Sequence, residues 1–575
     1  MHIASSSEPS LVSSPWFIAF VIGVVSWPIL HVRPIRGDTG LLLECLFGAI
    51  CFCYQWFGVG VSIGNALAFA LVAPLCHFAG IASATIGWRL SPFHPLAKFP
   101  GPLLYKCTNM TLAADIWSGR RHVKTLESHR KYGKVVRIAP DTLSIDSAAA
   151  IAPIYSSSNA YLRSNAYSRI GVSGEGLFFS ASKEFHSHRR RHWAMAFTPA
   201  MITSYMPVVH KRTQQLMEVL VERSQQSNDC VDLGRAFQHW AYDTMGDMTF
   251  SGTNRLELMK DGDINGYVDG GHLATRAFDV YENIASSHIR SLPEISSRLG
   301  HVPTLADILC HFSASESIRK LEDVAHGMIN QRVKAQLDHA ADISSSLLLG
   351  EHTSSQPKLN IHDLRVETLF AIQAGSDTAS GVLSIGFYYL LSNNQAYSRL
   401  QQELDDAFPD ISSPLDMEKL ESLPYLDVTV QEMLRLGSPF PGFPRVTPKG
   451  GAHLAGVYIP EGTIVGVPTY TQALNPENFW PDPESFIPER WLPGGLGPDS
   501  RTTKMAVLAF SHGPYGCLGK TLGIKQMRVV IAKLLLTLDM SLDPGFDGRK
   551  FVEGIRNWRS TSLGYPLRVK VVNRP

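Results

Sequence analysis

Near its C-terminus the chain reads Phe510-Ser-His-Gly-Pro-Tyr-Gly-Cys-Leu-Gly519, one cysteine in a glycine-rich loop directly before a helix-compatible run from Lys520 to Leu538. This is a setting for a single thiolate ligand to a haem iron. Such a sulfur must be shielded from proton donors that would neutralise it, and it needs backbone N–H groups nearby. Gly513, Gly516 and Gly519 let the backbone curl round the sulfur where a Cβ would obstruct it, and Phe510 can lie against a macrocycle on the same side. Cys517 alone would read as a buried structural cysteine; the surrounding spacing sets that reading aside. A second constellation, Ala374-Gly-Ser-Asp377-Thr378, falls in the middle of an apolar helical run from about Ile361 to Leu391. An acid and an alcohol buried there are expensive without a purpose. Gly375 leaves room for a planar group or dioxygen near the backbone, Thr378 Oγ1 can hold a water, and Asp377 can relay protons from solvent. The competing reading is a helix-packing notch, with Thr378 bonded back to a carbonyl one turn earlier.

The order Phe, two residues, Gly, three residues, Cys, one residue, Gly resembles the haem-binding signature of the cytochrome P450 family, and the Asp377-Thr378 segment resembles that family's oxygen-activation motif. Glu432 and Arg435, three apart on one helix face, would mean little alone. The resemblance groups them with Arg490 of Phe486-Ile-Pro-Glu-Arg-Trp491 as a structural lock beneath the cysteine loop. It also implies heme b with its iron on Cys517, and cations for the two propionates. His186-Ser-His-Arg-Arg190-Arg-His-Trp193 supplies His186 and Arg190 by alignment, with the register open among Arg189, Arg190 and Arg191, and Arg445 is the second candidate. The family usually carries arginine or histidine two residues before the cysteine; Tyr515 stands there and supplies no cation. The expectation is a weaker hold through Arg190, Arg445 and His512, which Tyr515→Arg would tighten.

In composition, 45% hydrophobic and 18% charged residues describe an ordered protein, and a net charge of +1 over 575 residues excludes the strongly basic balance that would suggest a nucleic-acid binder. Eight dispersed cysteines make no disulfide scaffold. The apolar excess lies at the N-terminus, predicting membrane spans near residues 13 to 32, 39 to 57 and 64 to 87, the second tract interrupted by Glu44. The first lacks a preceding basic region and is followed by more apolar sequence, which favours an anchor over a signal peptide. Arg33, Arg36, Arg89 and Lys98 follow the first and third spans and place those ends in the cytosol.

The expected organisation is a membrane anchor at 1–92, a stiff proline-rich hinge at 93–102 (Phe93-His-Pro-Leu-Ala-Lys-Phe-Pro-Gly-Pro102), and one haem-thiolate domain at 103–575. That domain reads as mainly α with small β-sheets, strands falling at Val135–Ile138, Thr142–Ile145, His453–Ile459 and Leu567–Val572, and a surface loop over Ser344–Lys358. The resemblance implies a monooxygenase that takes O2, a lipophilic substrate and electrons from an NADPH-cytochrome P450 reductase at the endoplasmic reticulum, similar to fungal members in secondary metabolism. No flavin or nicotinamide fingerprint extends the chain; Lys520, Lys525, Arg528 and Lys533 offer a docking face for an acidic partner. Pocket walls are expected at Ala160–Phe179, Phe370–Gly375, Ser438–Phe443 and Trp558–Ser562. Two other readings keep the fold, a redox-independent isomerase or dehydratase and a non-enzymatic membrane haem sensor.

Overall fold

The computed structural model describes residues 14–32, 37–156, 161–164, 167, 176–226, 230–264, 266–285, 313–336, 341–349, 359–410, 414–438 and 440–574. Arg33, Arg36 and much of the 160–175 wall lie outside them. Three helices, Pro15–Val32, Gly37–Cys53 with a π-helical extension Tyr54–Val59, and Ile63–Leu90, are long and apolar enough to cross a membrane. They pack on glycines: a Cβ on Gly23 would stand 2.0 Å from the His77 carbonyl oxygen, and one on Gly80 2.1 Å from that of Phe20. Small residues of this kind let helix backbones meet where lipid supplies no hydrophobic drive. Polar groups bridge all three helices, His77 Nδ1 lying 2.7 Å from Glu44 Oε1 and its Nε2 3.3 Å from Ser26 Oγ.

Among the other described residues helices dominate, with five small sheets. In the largest, Val135–Ala139, Thr142–Ile145, Ile464–Gly466, Arg445–Val446 and Leu162–Arg163 lie side by side in that order, only the second and third running parallel. The proline-rich segment is docked onto this layer: Leu96 and Phe99 are buried in its core, and Lys98 Nζ donates to the Tyr458 carbonyl at 2.9 Å. The third apolar helix is fastened there too. Arg89 donates to the Cys107 carbonyl at 2.7 Å, and Arg137 donates to the Arg89 carbonyl at 3.1 Å.

Two expectations change. The single strand over His453–Ile459 is a hairpin, Ala452–Leu454 against Val457–Ile459, because Ala455 and Gly456 both adopt positive φ (50° and 78°) and reverse the chain in two residues. The predicted loop from Ser344 begins as a helix, Ile343–Leu349, capped by Asp342 Oδ1 accepting from Ser345 N–H at 2.6 Å; residues 350–358 lie outside the described ones. Three consecutive serines hid that helix, since their hydroxyls compete for backbone groups and lower helix propensity.

The long helix Ile361–Leu391 runs through the main core against Leu233–Phe250, so its mid-section is buried on most faces. The Lys520–Thr537 helix starts at Gly519, immediately past the cysteine.

Candidate active site

The cysteine loop is held by its own backbone. Cys517 N–H donates to the Phe510 carbonyl at 2.9 Å, and Gly516 N–H to the Gly513 carbonyl at 2.9 Å, closing a turn of 3₁₀ helix over Gly513–Tyr515. Of the three glycines, Gly513 is the one that no other residue can replace: its φ is +66° and a Cβ would lie 2.1 Å from the Tyr155 carbonyl oxygen. Gly519 differs from expectation. Its φ is ordinary, and a Cβ would meet Cys517 Sγ at 3.8 Å and Phe197 at 3.7 Å, so what it leaves clear is the space beside the sulfur. The Phe510 ring borders the cavity, next to Gly523 of the following helix. Cys517 lies deep in the molecule, yet its exposed surface opens onto an internal cavity. Burial pushes its thiol up, while the Gly519 N–H and the charges of Arg190 and Lys520 pull the other way.

That cavity, about 270 Å³ open to the centre of a water molecule, is bounded by all four expected segments, through residues such as Phe178, Phe370, Phe440 and Arg559. Trp193, Phe197 and Met245 complete walls that sequence spacing gave no sign of. Ala374, Gly375, Asp377 and Thr378 border it as expected. Thr378 Oγ1 donates to the Ala374 carbonyl at 2.7 Å, the bond of the packing-notch reading, so the hydroxyl borders the cavity with its proton engaged. Gly375 also serves packing: a Cβ there would sit 2.5 Å from Met245 Sδ, so its open side receives Met245. Asp377 is 2% exposed, and Tyr242 Oη donates to its Oδ1 at 3.0 Å.

Beside the cysteine loop, around Tyr515, the cations gather. Arg189 turns to Glu367 and Asp363, both at 3.2 Å, while Arg190 borders the cavity and donates to the Gly516 carbonyl at 2.7 Å. Glu367, buried among these groups, is pushed up to about 7 by burial despite Arg189. Arg445 is buried and donates to Tyr167 Oη at 3.1 Å. His512 is a correction: its Nε2 lies 3.1 Å from the Met505 carbonyl oxygen and it is absent from the cavity wall. Its place among the cations is taken by Arg163, which the sequence reading missed because one arginine in a short strand carries no spacing signal. Tyr515 is ringed by these groups, with the Arg163 guanidinium 4.7 Å and the Arg445 guanidinium 4.9 Å from its ring centre, and the His186 ring at 4.5 Å. Burial, followed by Arg163, Arg190 and Arg445, pushes His186 down to about 3, so it is neutral there.

The lock lies outside the cavity wall and is fully buried. Glu432 accepts from Arg435 Nε (2.8 Å) and Nη2 (2.7 Å), from Arg490 Nε (3.1 Å), from Trp491 Nε1 (2.8 Å) and from the Ile487 N–H (2.9 Å). Burial alone would raise its carboxyl; the two arginines overcome that and hold it below the usual range. The basic docking face is thinner than expected, because Lys525 pairs with Glu421 and Arg528 with Asp427, leaving Lys520 as the exposed cation nearest the cysteine.

The family model for cytochrome P450 matches residues 100–557. The chain belongs to the cytochrome P450 family. Similar chains include the cytochrome P450 monooxygenase FCK2 of Fusarium pseudograminearum, 28% identical over 94% of each chain. The cytochrome P450 monooxygenase phqL of Penicillium fellutanum is 28% identical over 96% of this chain and 92% of its own. The cytochrome P450 monooxygenase atnE of Emericella nidulans is 28% identical over 79% and 87%. The family's cofactor is haem iron with a cysteine thiolate ligand, supplied with electrons by a redox partner. The residues of this P450 fit that group: a thiol facing the cavity, a clear space beside it at Gly519, and buried polar atoms without partners in Tyr515 Oη, Arg163 Nε and Arg445 Nε. Among the described residues no group of three or more His, Cys, Asp or Glu offers another metal centre.

Proposed function

We propose that this P450 inserts one oxygen atom from O2 into a lipophilic small molecule of fungal secondary metabolism. Residues 1–92 would be a membrane anchor, 93–102 a stiff joint, and 103–575 the catalytic domain facing the cytosol at the endoplasmic reticulum. Electrons would come from an NADPH-cytochrome P450 reductase. The observation that carries this reading is one cavity lined together by a thiol, an acid, an alcohol and a set of aromatic side chains.

Haem held there supplies the activation of oxygen. Cys517 would donate electron density as a thiolate, Arg163, Arg190, Arg445 and Tyr515 would meet the carboxylates, and Glu432, Arg435 and Arg490 would keep the loop's underlying support rigid. Asp377 brings an acid to the cavity edge, and Thr378 places a hydroxyl oxygen there that would be left to accept a hydrogen bond, since its proton is donated to the Ala374 carbonyl. Phe178, Phe370 and Phe440 exclude water and favour an apolar ligand.

The test is the carbon monoxide difference spectrum of the dithionite-reduced protein in microsomes, followed by NADPH-dependent oxygen consumption with reductase. A strongly red-shifted Soret band that Cys517→Ala abolishes, with oxygen consumed, is the expected result. A band without oxygen consumption would point to the redox-independent or sensor readings. No band in folded protein would end all three.

A further inference from the structure

Asp377 has a neighbour that the family motif does not contain. His272, on the helix Tyr267–Ala285, places Nε2 3.5 Å from Asp377 Oδ1 and Nδ1 3.3 Å from Ser562 Oγ of the C-terminal hairpin, in which Ile555–Asn557 pairs with Thr561–Leu563. We propose that His272 is a positioning residue of the oxygen reaction, holding Asp377 toward the cavity and handing it protons from solvent; this rests on the monooxygenase reading above.

The geometry leaves few routes to Asp377. Tyr242 Oη donates to Oδ1 at 3.0 Å and Ser560 Oγ to Oδ2 at 3.4 Å. Tyr242 is pushed well above its ordinary value by burial and by Asp377, so it donates a bond and releases no proton near neutrality. The Asp377 side chain is 3% exposed and that of His272 11%, so of this pair the imidazole lies nearer to solvent, with the exposed Asp269 beyond it. An imidazole with both nitrogens engaged can accept a proton on one and release it from the other.

Charge around the ring is consistent with that role. It faces Asp377 from the long helix, Asp269 from its own helix, Arg235 and Tyr242 from the Leu233–Phe250 helix, and Ser562 from the hairpin. Burial opposes the charged ring, but Asp377 and Asp269 outweigh it and His272 is raised. A purely structural fastener would be redundant there. Gln373 Nε2 already ties the two helices by donating to the Gly271 carbonyl at 3.1 Å and to Thr275 Oγ1 at 2.6 Å.

The experiment uses the full chain with reductase, NADPH and O2, and no added substrate. Peroxide formation takes two electrons and two protons per O2, and water formation four of each, so the partition of consumed oxygen reports proton delivery. The carbon monoxide band is recorded first; its absence in the wild type would fail the monooxygenase reading and not this one alone. With the band intact, His272→Gln is expected to slow oxygen consumption about tenfold and to raise the peroxide share. It should also remove the fall in rate expected of the wild type as pH rises through the raised folded value of His272. Adding Asp377→Asn to His272→Gln should change little further, since both act on one path. A readout independent of turnover is thermal unfolding. A raised histidine stabilises fully below its unfolded value and loses that contribution as pH rises through its folded value. The wild type should therefore exceed His272→Gln in Tm most at about pH 6 and progressively less above it. Wild-type rate, partition and pH profile in a folded His272→Gln would overturn the proposal, as would additive effects in the double variant. If His272→Gln does not fold, the wild-type profile decides, and one that is flat between about pH 6 and 8 with no solvent deuterium effect overturns it.

Discussion

At the scale of single residues, Tyr515 changes meaning once its surroundings are known. Read as a missing cation, it invites replacement by arginine. Its ring, however, lies against two guanidiniums whose centres are 4.7 and 4.9 Å from it, so a third placed there would meet two like charges. Tyr515→Arg is therefore expected to speed haem transfer to apomyoglobin, by about tenfold or ~1.4 kcal/mol, reversing the direction suggested by the sequence alone. Arg163→Leu should do the same, since it removes one of the cations at that end. Gly513→Ala belongs here too. With φ at +66° and a carbonyl oxygen 2.1 Å from the new Cβ, the loop has no way to close, and the red-shifted carbon monoxide band should be lost even where far-UV circular dichroism is retained. The site legible in the sequence was the part written as local spacing: the cysteine loop, the acid and alcohol, and the Glu432 pair. Arg163, His272 and Tyr242 were illegible because each comes from a different element, and only the packing of those elements brings it to the others.

Helices and strands follow the same division. The long helix reads directly from its apolar length, and its ends at Ile361 and Leu391 agree with the pattern. The hairpin at 452–459 was hidden because a two-residue reversal through Ala455 and Gly456 leaves the hydrophobic alternation almost unbroken. The Glu432 lock joins the Pro424–Leu436 helix to the Pro488–Trp491 turn, and each of its members is fully buried. Breaking such a network by removing one partner leaves a charge without compensation, at a cost of about 3–5 kcal/mol. Glu432→Gln is accordingly expected to lower Tm sharply and to reduce the yield of haem-loaded protein, whereas a rim pair such as Lys124 and Glu127 should be silent to substitution. His122, on the Arg121–Tyr132 helix with its ring edge against Tyr470 at 4.9 Å, offers a pH prediction. Burial, then the nearby Arg120 and Arg121, pushes it down to about 3, so the folded state keeps it neutral where the unfolded chain takes up a proton. Stability from this group is full above about pH 6.5 and is lost as pH falls toward the folded value. His122→Phe should blunt the loss of Tm between about pH 6.5 and 4 while leaving neutral pH little changed.

For the molecule as a whole, the N-terminal tract is better described as a packed bundle than as a tether. Gly23 and Gly80 set two backbones in contact, and Glu44, His77 and Ser26 join all three helices. Glu44→Leu should loosen that bundle by about 1–2 kcal/mol, seen as faster proteolysis of the anchor in detergent with the carbon monoxide band unchanged. The third helix gives the bundle a mechanical role. At 28 residues it is about 42 Å long, more than the ~30 Å hydrocarbon thickness of a bilayer, and its last turn is bolted through Arg89 and Arg137 to the sheet layer that borders the cavity. A free helix of excess length relieves the mismatch by leaning. This one does not lean alone, because the Arg89 and Arg137 hydrogen bonds and the buried Leu96 and Phe99 tie its end to that layer. With the three helices set in a bilayer as proposed, membrane thickness becomes a steering variable: a thicker bilayer would stand the shaft upright, a thinner one would lay it over, and the sheet layer at its end would swing with it relative to the lipid surface.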